Sequence, residues 1–111
     1  MAKNLFKLSQ EIVTCGSVVS DWTSYYESEE IALERWTSNK SAMQIDAGEY
    51  SCEAEKVKVL IDRDEFPVYK YVIQFTSKGF NDEPLSETWT LSLERHEFND
   101  EAYLKLKESA R

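Results

Sequence analysis

Hydrophobic and polar residues alternate along most of this chain, and the alternation breaks in the places where a helix or a turn is needed. From Leu5 to Val13, Phe6, Leu8 and Ile12 share one side, and Lys7, Ser9 and Glu11 share the other. That period of two predicts a half-buried strand. Cys15-Gly16-Ser17 reads as a hairpin turn. A second strand follows from Val18 to Tyr26, with Val18, Trp22 and Tyr26 on one side and Val19, Asp21, Thr23 and Tyr25 on the other. Its β-branched and aromatic residues suit a pleated surface.

The period then lengthens. Ser28 is placed to cap a helix, and Glu29 and Glu30 fall in the first turn, where the helix dipole favours anions. Ile31, Ala32, Leu33 and Trp36 form the apolar side. This helix is expected to fade between Ser38 and Met43, with a turn at Asp46-Ala47-Gly48. Three further strands are predicted: Tyr50 to Ile61, Val68 to Thr76, and Ser86 to Arg95. A polar turn from Asp62 to Pro67 and a loop from Ser77 to Pro84 separate them. In the last two strands, Tyr69, Tyr71, Ile73 and Phe75, then Trp89, Leu91 and Leu93, face inward. A closing helix is expected after Asn99, stapled by Phe98 and Tyr103, with Asp100 and Glu101 first and Lys105, Lys107 and Arg111 last.

The elements predict an α+β fold. An antiparallel sheet of about five strands, in ββαβββα order, carries two helices packed on one face. The 111 residues suit one domain spanning 1–111, and 41% hydrophobic content with only 3 Gly and 2 Pro argues against disorder. No run of some 18 apolar residues offers a membrane span, and Met1-Ala2-Lys3-Asn4 lacks the apolar stretch of a leader. A cytoplasmic protein is expected. Cys15 and Cys52, the only cysteines, read as a reduced, partly buried pair.

Charge changes the picture. The chain has 21 acidic and 13 basic residues, a net of -8. Such a chain repels nucleic acid and anionic lipid and is drawn to basic surfaces. Catalytic chemistry finds little to work with. His96 is the one histidine, and it would have to serve as base for either cysteine. Asp62, Asp64 and Glu65 resemble the start of a calcium loop, but Pro67 stands close behind them and both the mid-loop Gly and the distal Glu are missing. They read as a solvated turn. There is no Gly-rich phosphate loop and no G-x-S-x-G. Lys56, Lys58 and Lys70 come nearest to a basic stripe and read as an ordinary wet sheet face. The expectation is no enzyme, no cofactor, no metal, no direct nucleic-acid binding and no membrane.

Aromatic supply and acidic clustering remain. Of 3 Trp, 6 Tyr and 5 Phe, most fall on inward faces; Tyr25 and Phe80, at a loop tip, do not. Glu27, Glu29, Glu30 and Glu34 crowd the start of the first helix. Asp82, Glu83 and Glu87 crowd the approach to the fifth strand, and Glu94, Glu97, Asp100 and Glu101 the approach to the last helix. Together these point to a small acidic protein-binding module that inhibits or neutralises a basic, nucleic-acid-handling protein. The candidate partner-binding residues are Tyr25, Glu27, Glu29, Glu30, Glu34, Phe80, Asp82 and Glu83. Anti-defence proteins of phages, including anti-CRISPR proteins, and immunity proteins that block nuclease toxins share this profile of size and charge, which is a likeness carried by no motif. One alternative is a structural or assembly accessory protein. It would form a homodimer or larger homo-oligomer by pairing its first or Tyr-rich fourth strand with a copy of itself. Another is a small-ligand or enzyme domain drawing on Asp21, Arg35, Arg95 and His96.

Overall fold

Residues 3–98 and Lys105 are described by the structure, a computed structural model. Strands β1 (Lys3–Thr14) and β2 (Ser17–Tyr26) pair as an antiparallel hairpin. Both connecting residues have positive φ, Cys15 at 51° and Gly16 at 82°. Positive φ at both positions is the pattern of the type I′ turn, whose twist matches that of the strands.

Helix α1 (Glu29–Tyr50) starts where expected, with the Ile31 N–H donating to Ser28 Oγ at 3.3 Å. It does not fade at Ser38–Met43. It runs for 22 residues, about 33 Å at 1.5 Å per residue. The reason is tertiary: Ala32, Trp36, Met43 and Ala47 are all buried on one stripe that carries through the Ser/Asn segment. Burial of that stripe outweighs the weak helix preference of the residues between. Thr37 Oγ1 and Asn39 Nδ2 donate to the carbonyls of Leu33 and Arg35, so their polar groups work within the helix. The expected turn at Asp46-Ala47-Gly48 therefore lies inside the final turns of α1.

With Tyr50 still helical, the third strand cannot begin there. The chain first folds through a 3₁₀ turn at Ala54–Lys56, and β3 covers only Lys58–Arg63. β4 (Val68–Lys78) and β5 (Pro84–Phe98) complete a five-stranded sheet in the order β2-β1-β5-β4-β3, each neighbouring pair antiparallel. The described order is thus ββαβββ, with one α-helix where two were expected. The helix expected after Asn99 lies outside the described residues. By running on to Tyr50, α1 lays a single long stripe along the sheet.

One face of the sheet packs on α1. Leu8 stands opposite Leu93, Ile12 opposite Trp89, Tyr71 opposite Leu91, and Ile73 opposite Trp89. Leu8, Ile73, Leu91 and Leu93 are fully buried, and each such side chain contributes roughly 1.5–3 kcal/mol by leaving water. Aromatic rings fill both ends. Trp36 meets Tyr69 edge-on at 5.6 Å, and Phe75 meets Trp89 edge-on at 4.9 Å. The other face carries Lys7, Ser9, Lys70, Gln74, Thr90 and Ser92, with Leu5 and Val72 buried among such positions.

Two bulges depart from plain alternation. The register shifts at Ile12/Val13 against β2 and at Val59/Ile61 in β3. Val59 pairs with Ile73 but Ile61 with Val72, so these two residues, two apart in the chain, point to opposite faces. Val18 is likewise turned to the face away from Trp22. Every residue of β3 is exposed.

The Asp62–Glu65 turn is more than a solvated loop. Lys40 Nζ lies 2.7 Å from Asp62 Oδ1 and 3.4 Å from Asp64 Oδ2, and Trp36 Nε1 donates to Asp64 Oδ1 at 3.0 Å. Burial alone would lower the pKa of Lys40; the hydrogen bond it donates to Asp62 and the charges of Asp64 and Asp62 outweigh it and hold the ammonium above its ordinary value. The cysteines are free and exposed, not partly buried. The Cys15 N–H donates to Ser86 and the Cys52 N–H to Thr76, residues that face each other across β4 and β5. Three inter-strand steps therefore separate the cysteines, about 14 Å, twice the reach of a disulfide.

Candidate functional site

The candidate residues divide between the two ends of α1. Glu27, Glu29, Glu30 and Glu34 are exposed at its N-terminal end. Tyr25 is half-buried on β2 opposite Lys7, on the sheet face away from the helix. Phe80, Asp82 and Glu83 sit in the turn between β4 and β5. The C-terminal end of α1 arrives there, with Ser51 bridging to Ser77. A helix about 33 Å long stands between the groups, so they do not form one acidic face. Glu29 and Glu30 also have a local role, since carboxylates in a first turn complement the helix dipole.

The residues considered for an enzyme do not converge either. Arg95 lies over the Phe66 ring at 5.2 Å on the helix side. His96, one residue on, faces the other side, with Nε2 2.8 Å from Glu94 Oε2. Asp21 stands opposite Glu11 at the far edge. Among the described residues no group of three or more His, Cys, Asp and Glu is arranged to hold a metal ion. Nor is any helix of theirs long and apolar enough to cross a membrane.

The β4–β5 turn has a demanding geometry. The Gly79 N–H donates to the Glu83 carbonyl at 2.7 Å, closing the loop. Within it, Asn81 and Asp82 hold φ of 62° and 60°, two consecutive non-glycine residues in the left-handed region. Asn and Asp are the non-glycine residues that enter this region most readily, which suits them to the turn. Gly79 leaves room for Leu85: a Cβ there would stand 2.7 Å from Leu85 Cδ1 and 2.9 Å from its Cγ, so the half-exposed leucine would have to shift. With Leu85 packed against the base of the turn, Phe80 projects from its tip and is 91% exposed.

Glu87, grouped by sequence with Asp82 and Glu83, belongs elsewhere. It is 7% exposed. Thr14 Oγ1 lies 2.5 Å and 3.0 Å from its two carboxylate oxygens, and Ser77 Oγ lies 3.4 Å from Oε2. It thereby links β1, β5 and β4. A cavity of about 550 Å³ opens beside it, under the last turns of α1. Ile12, Met43, Tyr50 and Trp89 line it together with Glu87. The signal was readable: Glu87 has the same parity as Trp89, Leu91 and Leu93, and Thr14 the same parity as Leu8 and Ile12.

No family model, curated protein or solved structure matches this chain.

Proposed function

We propose that the chain is a protein-binding module that docks on a partner with a basic surface through the β4–β5 turn. The observation that carries this reading is Phe80, 91% exposed at the tip of a turn built on two left-handed non-glycine residues. A large aromatic side chain held in water gains nothing for folding. Exposed aromatic residues of this kind anchor interfaces. Asp82 and Glu83 flank the ring with exposed carboxylates, which favour a partner pocket with a basic rim and speed encounter with it. The narrower reading, that the partner handles nucleic acid and is inhibited, is supported by the net charge of -8 and the small size. Glu29, Glu30 and Glu34 provide a second acidic end, suited to a partner that is basic over a long surface.

The test is affinity capture from bacterial lysate at low and moderate salt, with mass spectrometry of the retained proteins. Wild type, Phe80→Ser, Asp82→Lys/Glu83→Lys and Glu29→Lys/Glu30→Lys/Glu34→Lys serve as baits. A single basic protein held by wild type, lost with either turn variant and released by salt supports the reading. Identical retained sets for wild type and both turn variants remove the turn as the contact. Loss with the helix variant alone moves the contact to the start of α1.

Self-assembly keeps a specific observation of its own. The strands expected to pair with a copy, β1 and β4, are both interior, because β5 enters between them and satisfies their free edges. The edges are β2 and β3, and β3 exposes Val59, Leu60 and Ile61 in succession. Its bulge and Lys58 oppose edge pairing. Sedimentation equilibrium of wild type against Leu60→Lys decides it: a dimer that the substitution splits favours self-assembly, and a monomer in both excludes this edge.

A further inference from the structure

We propose that the cavity beneath the last turns of α1 binds a small organic ammonium ion with an apolar, ring-sized body. Glu87 supplies the reason. A carboxylate this buried is ordinarily paired with a cation or fully hydrogen-bonded. No cation lies within salt-bridge distance of Glu87 among the described residues. Its only side-chain partners there are the hydroxyls of Thr14 and Ser77. Two hydroxyls bring two protons to a group with about four acceptor sites. Acceptor capacity is left over next to a cavity of about 550 Å³, far more room than a water needs.

Most of the remaining lining suits the same ligand, although the buried Trp89 Nε1 has no hydrogen-bond partner and gains none from an ammonium. Trp89, 6% exposed, and Tyr50, 65% exposed, meet edge-on at 6.1 Å. Aromatic rings close to a carboxylate are the groups that recognise an ammonium ion, one through the ring quadrupole and the other through charge. Ile12 and Met43 add apolar surface, and Asp46 on α1 adds a second carboxylate. Lys78 also borders the cavity, but it is exposed and makes no ion pair with Glu87 or Asp46. Tyr50, the last residue of α1, lies over Trp89 with most of its own surface in water, where it can cover an occupant.

The test is titration of the full chain with phenethylamine, and separately with 2-phenylethanol, which keeps the body and lacks the charge. The readouts are the Trp89 indole N–H and the Met43 methyl in two-dimensional NMR. Saturable shifts at both resonances are expected with phenethylamine, and at least about tenfold weaker binding with the alcohol. Glu87→Gln, with retained fold checked by its spectrum, is expected to weaken phenethylamine by about tenfold and leave the alcohol unchanged. Trp89→Phe serves as a second variant should Glu87→Gln unfold, and weakens the amine through loss of the larger ring. Equal binding of amine and alcohol, shifts confined to other residues, or no saturation with phenethylamine would overturn the proposal and leave Glu87 as a strut between strands.

Discussion

The indole N–H of Trp36 donates to Asp64 at 3.0 Å, tying the first half of α1 to the turn between β3 and β4. Trp36 is 3% exposed, so removing its partner leaves a buried donor unsatisfied. Asp64→Ala is expected to destabilise the protein by about 1–3 kcal/mol. In a Trp36→Phe background the same change should cost much less. Urea unfolding of the four proteins, read as a double-mutant cycle, measures the coupling.

Lys40 gives stability a dependence on alkaline pH. Its pKa is raised in the folded state, with burial opposing the shift and the contacts with Asp62 and Asp64 overcoming it. A raised pKa means that this contribution is fully present below the ordinary value of 10.5 and is lost as pH climbs through the folded value. Lys40→Met keeps an apolar stem near Tyr71, whose ring Lys40 Nζ approaches at 4.9 Å. The stability difference between wild type and Lys40→Met should be flat from neutral pH to about 10 and shrink above it, as followed by denaturant titration at each pH.

Gly79→Ala drives a methyl group against Leu85 at the base of the β4–β5 turn. The change is expected to cost up to about 1.5 kcal/mol, because Leu85 is half-exposed and its side chain can turn aside. It should also move Phe80, so loss of partner binding should accompany the lower melting temperature. Thermal unfolding and the capture experiment on the same variant check both effects.

Phe80→Ser separates anchoring from folding. The ring is in water, so its removal should change stability by no more than about 0.5 kcal/mol. Leu91→Ala, at a fully buried position in the central strand, should cost about 2–5 kcal/mol. A large loss of stability in Phe80→Ser would show that the ring packs on the protein in solution.

The strands were legible because a period of two is hard to imitate. The inward rows Tyr69-Tyr71-Ile73-Phe75 and Trp89-Leu91-Leu93 lie on the buried face, each as an unbroken alternation. The length of α1 was not legible, because the weak helix formers Ser38, Asn39 and Ser41 are overridden only once a sheet is present to bury Met43 and Ala47. The bulges at Val19 and Leu60 carry no local mark, since valine and leucine suit regular strand equally well. Sheet order was hidden too, as β5 pairs with β1 across most of the chain. Phe80 was identifiable as an aromatic in a polar loop, and the structure adds the backbone that presents it. Glu87 reads as surface by its charge and as core by its parity, and its burial follows the parity.

The position of β5 bears on how the protein is made. The central strand of the sheet is also, among the described strands, the last to leave the ribosome. Until it emerges, the β1–β2 and β3–β4 hairpins have no common neighbour, and β1 and β4 each keep an open edge. The native sheet therefore cannot assemble stepwise during synthesis; it must wait until Pro84–Phe98 has cleared the exit tunnel and then close in one event around it. A translational pause or premature stop before Pro84 would release two sticky hairpins in place of a partly finished domain, and such fragments are natural prey for chaperones and proteases.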